Sequence, residues 1–195
     1  MEVDASIDAY FDRLHAALDA VDRTSVERLV DLLFEAHERG RTVFIVGNGG
    51  SAANASHFCQ DLSKGTSMRK PSMRRLRAVS LVDNTSWLTA LGNDEGYDAV
   101  FVQQLLTFAQ EGDLLIVISG SGNSPNVLRA AEWARAHGVA VIAVSGFDGG
   151  RLHPLADHIV HVPLTDMGIV ESVHLGLFHY VVEQLAKRLR VDARA

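Results

Sequence analysis

The stretch TVFIVGNGGSAANASHF at positions 42–58 decides the fold. Its first six residues are apolar or β-branched and end in glycine, which is typical of a buried β-strand. A glycine-rich segment follows and leads into a helical pattern that starts near Ser51. Gly47, Gly49 and Gly50 allow the backbone to approach a ligand closely at the start of that helix, an arrangement that suits an anion. Taken alone, the segment fits a tight turn closed by a serine cap equally well.

The glycines belong to neither of two common nucleotide-binding motifs. A dinucleotide fingerprint requires G-x-G-x-x-G with a later acidic residue, and a P-loop requires Gly-Lys-Ser/Thr. Both are excluded for positions 47–51, which read GNGGS.

Four more short apolar segments follow and alternate with helical stretches. They are RAVSLV at 77–82, LLIVIS at 114–119, VAVIAVS at 139–145 and HIVHV at 158–162. Nearly continuous apolar strands separated by helices predict an α/β fold with a five-stranded parallel sheet, flanked by helices on both faces. Such sheets bind ligands at the carboxyl ends of their strands. The loops after the strands are therefore the places to look for function.

Helical patterns occupy both ends of the chain. We expect helices at about Ile7 to Val21 and Ser25 to Arg39, with Thr24 or Ser25 as the cap and Gly40 as the stop. The final helix, from about Ile169 to Arg190, is apolar around most of its circumference. These helices carry more apolar surface than one small sheet can cover, which predicts a homo-oligomer.

Composition limits the class of protein. The 195 residues are 47% hydrophobic, which suits one domain over 1–195, with N-terminal helices at 1–40 and the α/β core and last helix at 41–195. The net charge of −6 argues against nucleic-acid binding. No apolar run is long enough to cross a membrane, and the first twenty residues do not read as a signal peptide. With Cys59 as the single cysteine, we expect a soluble cytoplasmic protein.

A second loop, SGSGNSPNVLRAA at 119–131, follows the third predicted strand. Three serines, Ser119, Ser121 and Ser124, surround two flexible glycines, and Pro125 is suited to the first turn of a helix. Hydroxyl and free N–H groups at a helix start suit a phosphate ester. Helix capping would explain one of these serines but not all three.

Ionisable residues cluster on two helical segments. His57 and Asp61 are four residues apart, so they share one helix face and could hold a metal or act as an acid–base pair; an isolated pair of this kind is more often a surface contact. Glu171, His174 and His179 interrupt the apolar final helix, where ionisable groups cost free energy unless they are paired or ligated. Glu171 and His179 are about 12 Å apart along the helix axis, so spacing alone does not choose between His174 and His179.

The two loops, the segment ALGNDEGYD at 90–98 and the final helix occur in an order similar to that of sugar isomerase (SIS) domain proteins. Among these the chain most resembles the phosphoheptose isomerases. The resemblance implies a single SIS domain whose N-terminal helices take part in a homotetramer. It also implies conversion of sedoheptulose 7-phosphate to a D-glycero-D-manno-heptose 7-phosphate through an enediol.

The resemblance also implies roles for individual residues. Zinc, or another divalent metal, would be held by His57, Asp61, Glu171 and His179, and Asp61 and His179 would share acid–base catalysis. Two positions depart from the family pattern, with Asp61 in place of Glu and Glu171 in place of Gln, which leaves the identity of the metal open. Substrate-binding residues would be Asn48, Gly49, Gly50, Ser51, Asp61, Asn93, Asp94, Ser119, Gly120, Ser121, Ser124 and Glu171.

Three questions stay open at this point. Asp61 could be the base, a metal ligand or both. A non-catalytic SIS protein that binds a replication initiator protein, or an isomerase of another sugar phosphate, would share much of the pattern, although that non-catalytic relative lacks the metal-type residues on the last helix. The basic segment 64–77 is most simply a solvated loop, and its functional alternatives are a phosphate-attracting rim or a partner surface.

Overall fold

The computed structural model of the protein describes residues 6–66 and 74–192. Five strands form one sheet: β1 (Thr42–Gly47), β2 (Arg77–Ser80), β3 (Leu114–Ser119), β4 (Ala140–Ser145) and β5 (His158–His161). Their order is β2-β1-β3-β4-β5, and every neighbouring pair is parallel. The predicted five-stranded parallel sheet is confirmed. All strand carboxyl ends therefore lie along one edge.

Seven α-helices surround the sheet in the described part of the chain: α1 (Ile7–Asp19), α2 (Arg23–Glu38), α3 (Gly50–Gln60), α4 (Thr85–Asp94), α5 (Val102–Phe108), α6 (Pro125–Ala136) and α7 (Met167–Asp192). Short 3₁₀ turns lie at Tyr97–Ala99 and Gly150–Leu155, and one π-helical turn at Asp61–Gly65 continues α3.

Side-chain alternation along β1 divides the core into two layers. Val43 and Ile45 pack into an apolar cluster with residues of α1, α2, α3 and α7. Phe44 and Val46 point to the opposite face and pack with residues of α4, α5 and α6. Because every residue of β1 and β3 is buried, the central strands are apolar on both faces, as the sequence predicted. Complete burial of a side chain such as Phe44 contributes about 1.5–3 kcal/mol.

Some predicted boundaries were wrong, for local reasons. Asp22, rather than Thr24 or Ser25, caps α2, because its carboxylate accepts a hydrogen bond from the Thr24 N–H at 2.9 Å. The helix after the first loop begins at Gly50, in agreement with the predicted start near Ser51, but its cap residue is Gly49 and not a serine. The second strand is shorter than predicted and ends at Ser80.

Helix α7 is buried along one side, as its apolar composition predicted. Val173, Phe178, Val181 and Leu185 are each at most 2% exposed, and the Phe178 ring stacks on Phe58 of α3 at 4.2 Å.

None of the helices in residues 6–66 and 74–192 combines the length and apolar character that crossing a membrane would require.

Candidate functional site

The loops that follow β1 and β3 meet at the carboxyl edge of the sheet and form a pocket of about 250 Å³. Ten of its lining residues fall on three segments, Asn48 to Ser51, Ile118 to Ser121 and Met167 with Glu171. Ser124, at the start of α6, completes the lining. The sequence predicted a ligand site at this edge, and the two glycine-rich loops contribute most of it.

The first loop is shaped by contacts that require glycine. Gly49 has φ of 55°, in the left-handed region. A Cβ at Gly47 would lie 2.6 Å from the Ser51 carbonyl oxygen, so a side chain would push the start of α3 away from β1. A Cβ at Gly50 would lie 2.2 Å from a carboxylate oxygen of Glu171. The close approach of the Glu171 carboxylate to this loop therefore depends on the missing side chain.

The serines of the second loop use their hydroxyl groups differently. The Ser119 hydroxyl oxygen accepts a hydrogen bond from the Gly122 N–H at 3.1 Å, which folds the loop back on itself. The Ser121 oxygen accepts a longer bond of 3.4 Å from the Asn123 N–H. Ser124 occupies the cap position of α6, but its side chain makes no capping bond, and Pro125 is the first helical residue as predicted. Helix capping thus accounts for none of these hydroxyl groups.

Three ionisable residues converge at the far end of α3. His57 Nε2 lies 3.3 Å from Asp61 Oδ2, and His179 Nδ1 lies 3.5 Å from the same oxygen. One ligand atom from each residue lies within 4.8 Å of the others, which is close enough for a single ion to reach all three. Asp61 begins the π-helical turn, a feature that is frequent at functional sites.

Two imidazoles and one carboxylate suit zinc and also other divalent transition metals. The group is half-exposed, with 43% of the His57 side chain and 53% of the His179 side chain accessible, so an ion and a substrate could both approach it. The Gln60 amide donates a hydrogen bond to the second carboxylate oxygen of Asp61, which leaves Oδ2 facing the two imidazoles.

Glu171 lies outside this three-residue group. Its carboxylate faces Gly50 and lines the pocket, while its backbone oxygen accepts a hydrogen bond from the Asn54 amide at 3.0 Å. The separation of about 12 Å expected along the helix between positions 171 and 179 explains why the two residues reach different parts of the site. Glu171 as the fourth metal ligand therefore stays a prediction.

His174, the rival of His179, is a core residue. It is fully buried, and its Nε2 donates a hydrogen bond to the Ser145 carbonyl oxygen at 3.0 Å. Its Nδ1 is buried without a hydrogen-bond partner among the described residues. Burial lowers the pKa of His174 to about 4, so the imidazole is neutral at physiological pH. Of the two histidines, only His179 stands beside His57 and Asp61.

The GND segment is placed differently from the expectation. Asn93 and Asp94 are exposed at the end of α4, where the Asn93 amide donates to the Asp94 carboxylate at 2.7 Å, and neither belongs to the pocket lining. Tyr97, three residues later, does reach the site, because its hydroxyl donates to Asn48 Oδ1 at 3.1 Å. Tyr97 was missed although it lies within the segment 90–98 that carried the resemblance.

Two residues that were not predicted also lie at the pocket. Asn126 forms hydrogen bonds with Asn48, and Met167 lines the pocket. Of the basic segment at 64–77, positions 67–73 lie outside the described residues.

A second cavity, of about 400 Å³, lies at the opposite edge of the sheet, against α2 and the amino ends of β3 and β4. It contains none of the predicted site residues. Arg28 and Arg41, two of the cations that line it, already bind the Glu35 carboxylate and the Glu111 carbonyl oxygen. We therefore assign the functional site to the smaller pocket at the carboxyl edge.

Comparison with known proteins agrees with this assignment. The SIS domain family model matches residues 9–146. A phosphoheptose isomerase of Citrifermentans bemidjiense is 35% identical over 194 residues, covering 100% of this chain and 99% of the relative. A phosphoheptose isomerase of Mycobacterium bovis is 40% identical over 171 residues, covering 88% of this chain and 86% of the relative.

Solved structures give the same result. A phosphoheptose isomerase from Neisseria gonorrhoeae superimposes with a TM-score of 0.84 at 31% identity, covering 92% of this chain and 96% of the other. One from Francisella tularensis superimposes with a TM-score of 0.87 at 26% identity, covering 96% and 100%. With a parallel sheet, paired loops and full-length relatives that all agree, this chain belongs to the SIS domain family, among the phosphoheptose isomerases.

Proposed function

We propose that this protein is an aldose–ketose isomerase that converts sedoheptulose 7-phosphate to a D-glycero-D-manno-heptose 7-phosphate. The observation that carries the proposal is the arrangement of two functional groups along α3 and α7. Helix α3 runs beside the first half of α7 in the same direction, because Asn54 contacts Glu171 and, one turn later along α3, His57 contacts His179. The loop pocket therefore lies at the start of α3, and the ion-binding group lies at the end of the same helix.

The helical spacing between the two groups suits a substrate of the proposed length. Eight helical residues from Glu171 to His179 rise about 12 Å. A seven-carbon sugar phosphate in extended form is on the order of 10 Å long, since each bond contributes up to about 1.5 Å. A phosphate held by the serine loop would place the first two carbons of the sugar near Asp61 and His179. We expect shorter sugar phosphates to span the two groups less well.

The reaction needs one group that removes a proton from carbon and one that exchanges protons with oxygen. We propose that Asp61 takes the proton from C1 of the ketose, which gives an enediol with a double bond between C1 and C2, and returns it to C2, so that the carbonyl group moves from C2 to C1. His179 would protonate O2 as the enediol forms and accept the proton from O1 as the aldehyde appears. The two groups are adjacent, with His179 Nδ1 at 3.5 Å from Asp61 Oδ2.

The donor set at the far end of α3 fits a divalent metal, with His57, Asp61 and His179 as the ligands that the geometry supports. When bound, zinc or a similar ion would polarise the carbonyl group and fix the two reacting oxygens. Glu171 as a fourth ligand is a separate proposal. It predicts that Glu171→Ala lowers metal content, whereas a role limited to the pocket predicts unchanged metal content and a raised KM.

The decisive experiment combines metal analysis with product analysis. Purified protein would be incubated with sedoheptulose 7-phosphate and, in parallel, with ribose 5-phosphate, and the products separated by chromatography. We expect a heptose 7-phosphate from the first substrate and little turnover of the second. Absence of turnover with metal-loaded wild-type protein would refute the proposed function, and preference for the five-carbon substrate would refute the length argument.

We also propose that the protein is a homotetramer of chains that each form one SIS domain over 1–195. A groove of about 510 Å³ between α1, α2 and α7 is lined mainly by apolar side chains, among them Leu18, Val21 and Leu177. On the same helices Phe11 and Tyr180 are 48% and 39% exposed, so a second copy would cover apolar surface there.

A phosphorylated sugar substrate and a single free thiol, Cys59, fit a cytoplasmic location.

A further inference from the structure

The pocket residue Asn48 is held by an unusually complete set of hydrogen bonds. Its Nδ2 donates to Asn126 Oδ1 at 2.9 Å, and its Oδ1 accepts from Asn126 Nδ2 at 2.8 Å. The same Oδ1 also accepts from the Tyr97 hydroxyl at 3.1 Å. Two donors on one amide oxygen occupy both of its lone pairs. Asn48 lines the pocket, and its second side-chain N–H has no described partner.

The backbone determines which way these two amides point. The Val127 N–H can only donate, and it lies 3.0 Å from Asn126 Oδ1, so that atom must be the oxygen. Asn126 is 2% exposed, so water cannot replace these hydrogen bonds if its amide turns over. Once Asn126 is fixed, its N–H must meet the oxygen of Asn48. Tyr97 must then donate to that oxygen rather than accept from Asn48.

We propose that Asn126 and Tyr97 are positioning residues for Asn48. Asn126 sets the orientation of the Asn48 amide so that its free N–H, rather than its oxygen, faces the bound sugar phosphate, and Tyr97 stabilises that orientation with a second hydrogen bond. The inference rests on the proposed function for the identity of the ligand, but not for the hydrogen bonds themselves. If the amide turned over, its oxygen would face the oxygens of an anionic ligand, and attraction would become repulsion. The orientation of the Asn48 amide thus determines whether Asn48 attracts or repels the ligand at the loop after β1.

The position of Tyr97 supports this role. Its side chain is 62% exposed, so its contribution to the core is small and its hydroxyl contact with Asn48 is its main described interaction. The 3₁₀ turn that carries it is anchored to α6 by the Asp98–Arg129 ion pair at 2.9 Å. Because Asn126 is on the same helix, both partners of Asn48 are fixed relative to one another.

The test is a double-mutant cycle between Tyr97→Phe and Asn48→Ala, with Tyr10→Phe on α1 as the control for loss of a tyrosine hydroxyl. We expect Tyr97→Phe to raise KM for sedoheptulose 7-phosphate about 5-fold, with a smaller change in kcat, as loss of one neutral hydrogen bond would. Asn48→Ala should raise KM more. In the Asn48→Ala background Tyr97→Phe should have no further effect. Asn126→Ala should resemble Asn48→Ala if the protein remains folded.

A second measurement does not depend on turnover. The side-chain NH₂ signals of Asn48 in a ¹⁵N-labelled sample report the hydrogen bonds of that amide with no ligand present. We expect Tyr97→Phe to shift them and Tyr10→Phe to leave them unchanged. Failure of wild-type protein to convert sedoheptulose 7-phosphate would refute the proposed function but leave this measurement decisive. The positioning role is overturned if the Asn48 signals ignore Tyr97→Phe, or if the two substitutions act independently on KM.

Discussion

Replacing His174 by glutamine should remove a large part of the acid sensitivity of the fold. The imidazole donates to the Ser145 carbonyl oxygen through Nε2, so the neutral form carries its proton there. Protonation would add an N–H at Nδ1, which is buried with no acceptor among the described residues. The folded state therefore resists the second proton, whereas the unfolded chain accepts it freely.

The size of the effect follows from the pKa difference. Burial lowers the pKa of His174 from the ordinary histidine value of 6.5 to about 4. Between these values the unfolded state binds more protons, so the stability associated with neutral His174 is complete above pH 6.5 and is lost as the pH falls. The loss should be about 2 kcal/mol at pH 5 and approach about 3 kcal/mol below pH 4.

The assay is urea unfolding at fixed protein concentration, monitored by circular dichroism between about pH 7.5 and about pH 4.5. His174→Gln should be less stable than wild type at neutral pH, because the core contact is altered, but its stability should fall less on acidification. His15→Gln, which removes an exposed imidazole on α1, should follow the wild-type slope. If wild type and His174→Gln lose stability in parallel, His174 is not the buried neutral group described above.

The other predictions concern the pocket, the ion and the assembly. Ser119→Ala with Ser124→Ala should raise KM for the phosphorylated sugar by about 10-fold or more, as loss of charge-assisted hydrogen bonds would; unchanged kinetics would remove the second loop from the site. Gly50→Ala should alter KM with little change in melting temperature, because the added Cβ would displace only the flexible Glu171 carboxylate. Chelation should abolish turnover, and full activity in metal-free protein would rule out a metal role. Light scattering at micromolar concentration should give a tetramer, and Leu18→Asp in the apolar groove should dissociate it.

The sequence was sufficient to predict the sheet, because fully buried parallel strands leave a simple apolar signature. TVFIVG and LLIVIS became β1 and β3 at the predicted positions. Their loops, being glycine-rich and short, were equally visible. Ends of elements were harder, since a cap depends on one local bond: Asp22 and Thr24 are both good capping residues, and only their backbone geometry decides between them.

The site was predictable where residues act within one helix and less so where distant segments meet. His57 and Asp61 follow from helical spacing alone. The meeting of Asp61 with His179 depends on how α7 packs on α3, which local patterns do not encode, and the resemblance to a family supplied it. His174 was ambiguous because burial, which separates it from His179, is a property of the packed structure. Tyr97 and Asn126 were missed because hydrogen bonds between side chains of distant segments leave no pattern in a single sequence.

The strand order β2-β1-β3 carries a consequence for how such proteins can diversify. After β1 the chain passes to α3 on one face of the sheet, whereas after β3 it passes to α6 on the other. The two connections separate at neighbouring strand ends, so a crevice must open between them whatever side chains the loops carry. Ligand affinity and sheet stability are therefore largely separate properties here. Substitutions in the two loops can change which phosphorylated compound is accepted while the strands that create the crevice stay the same.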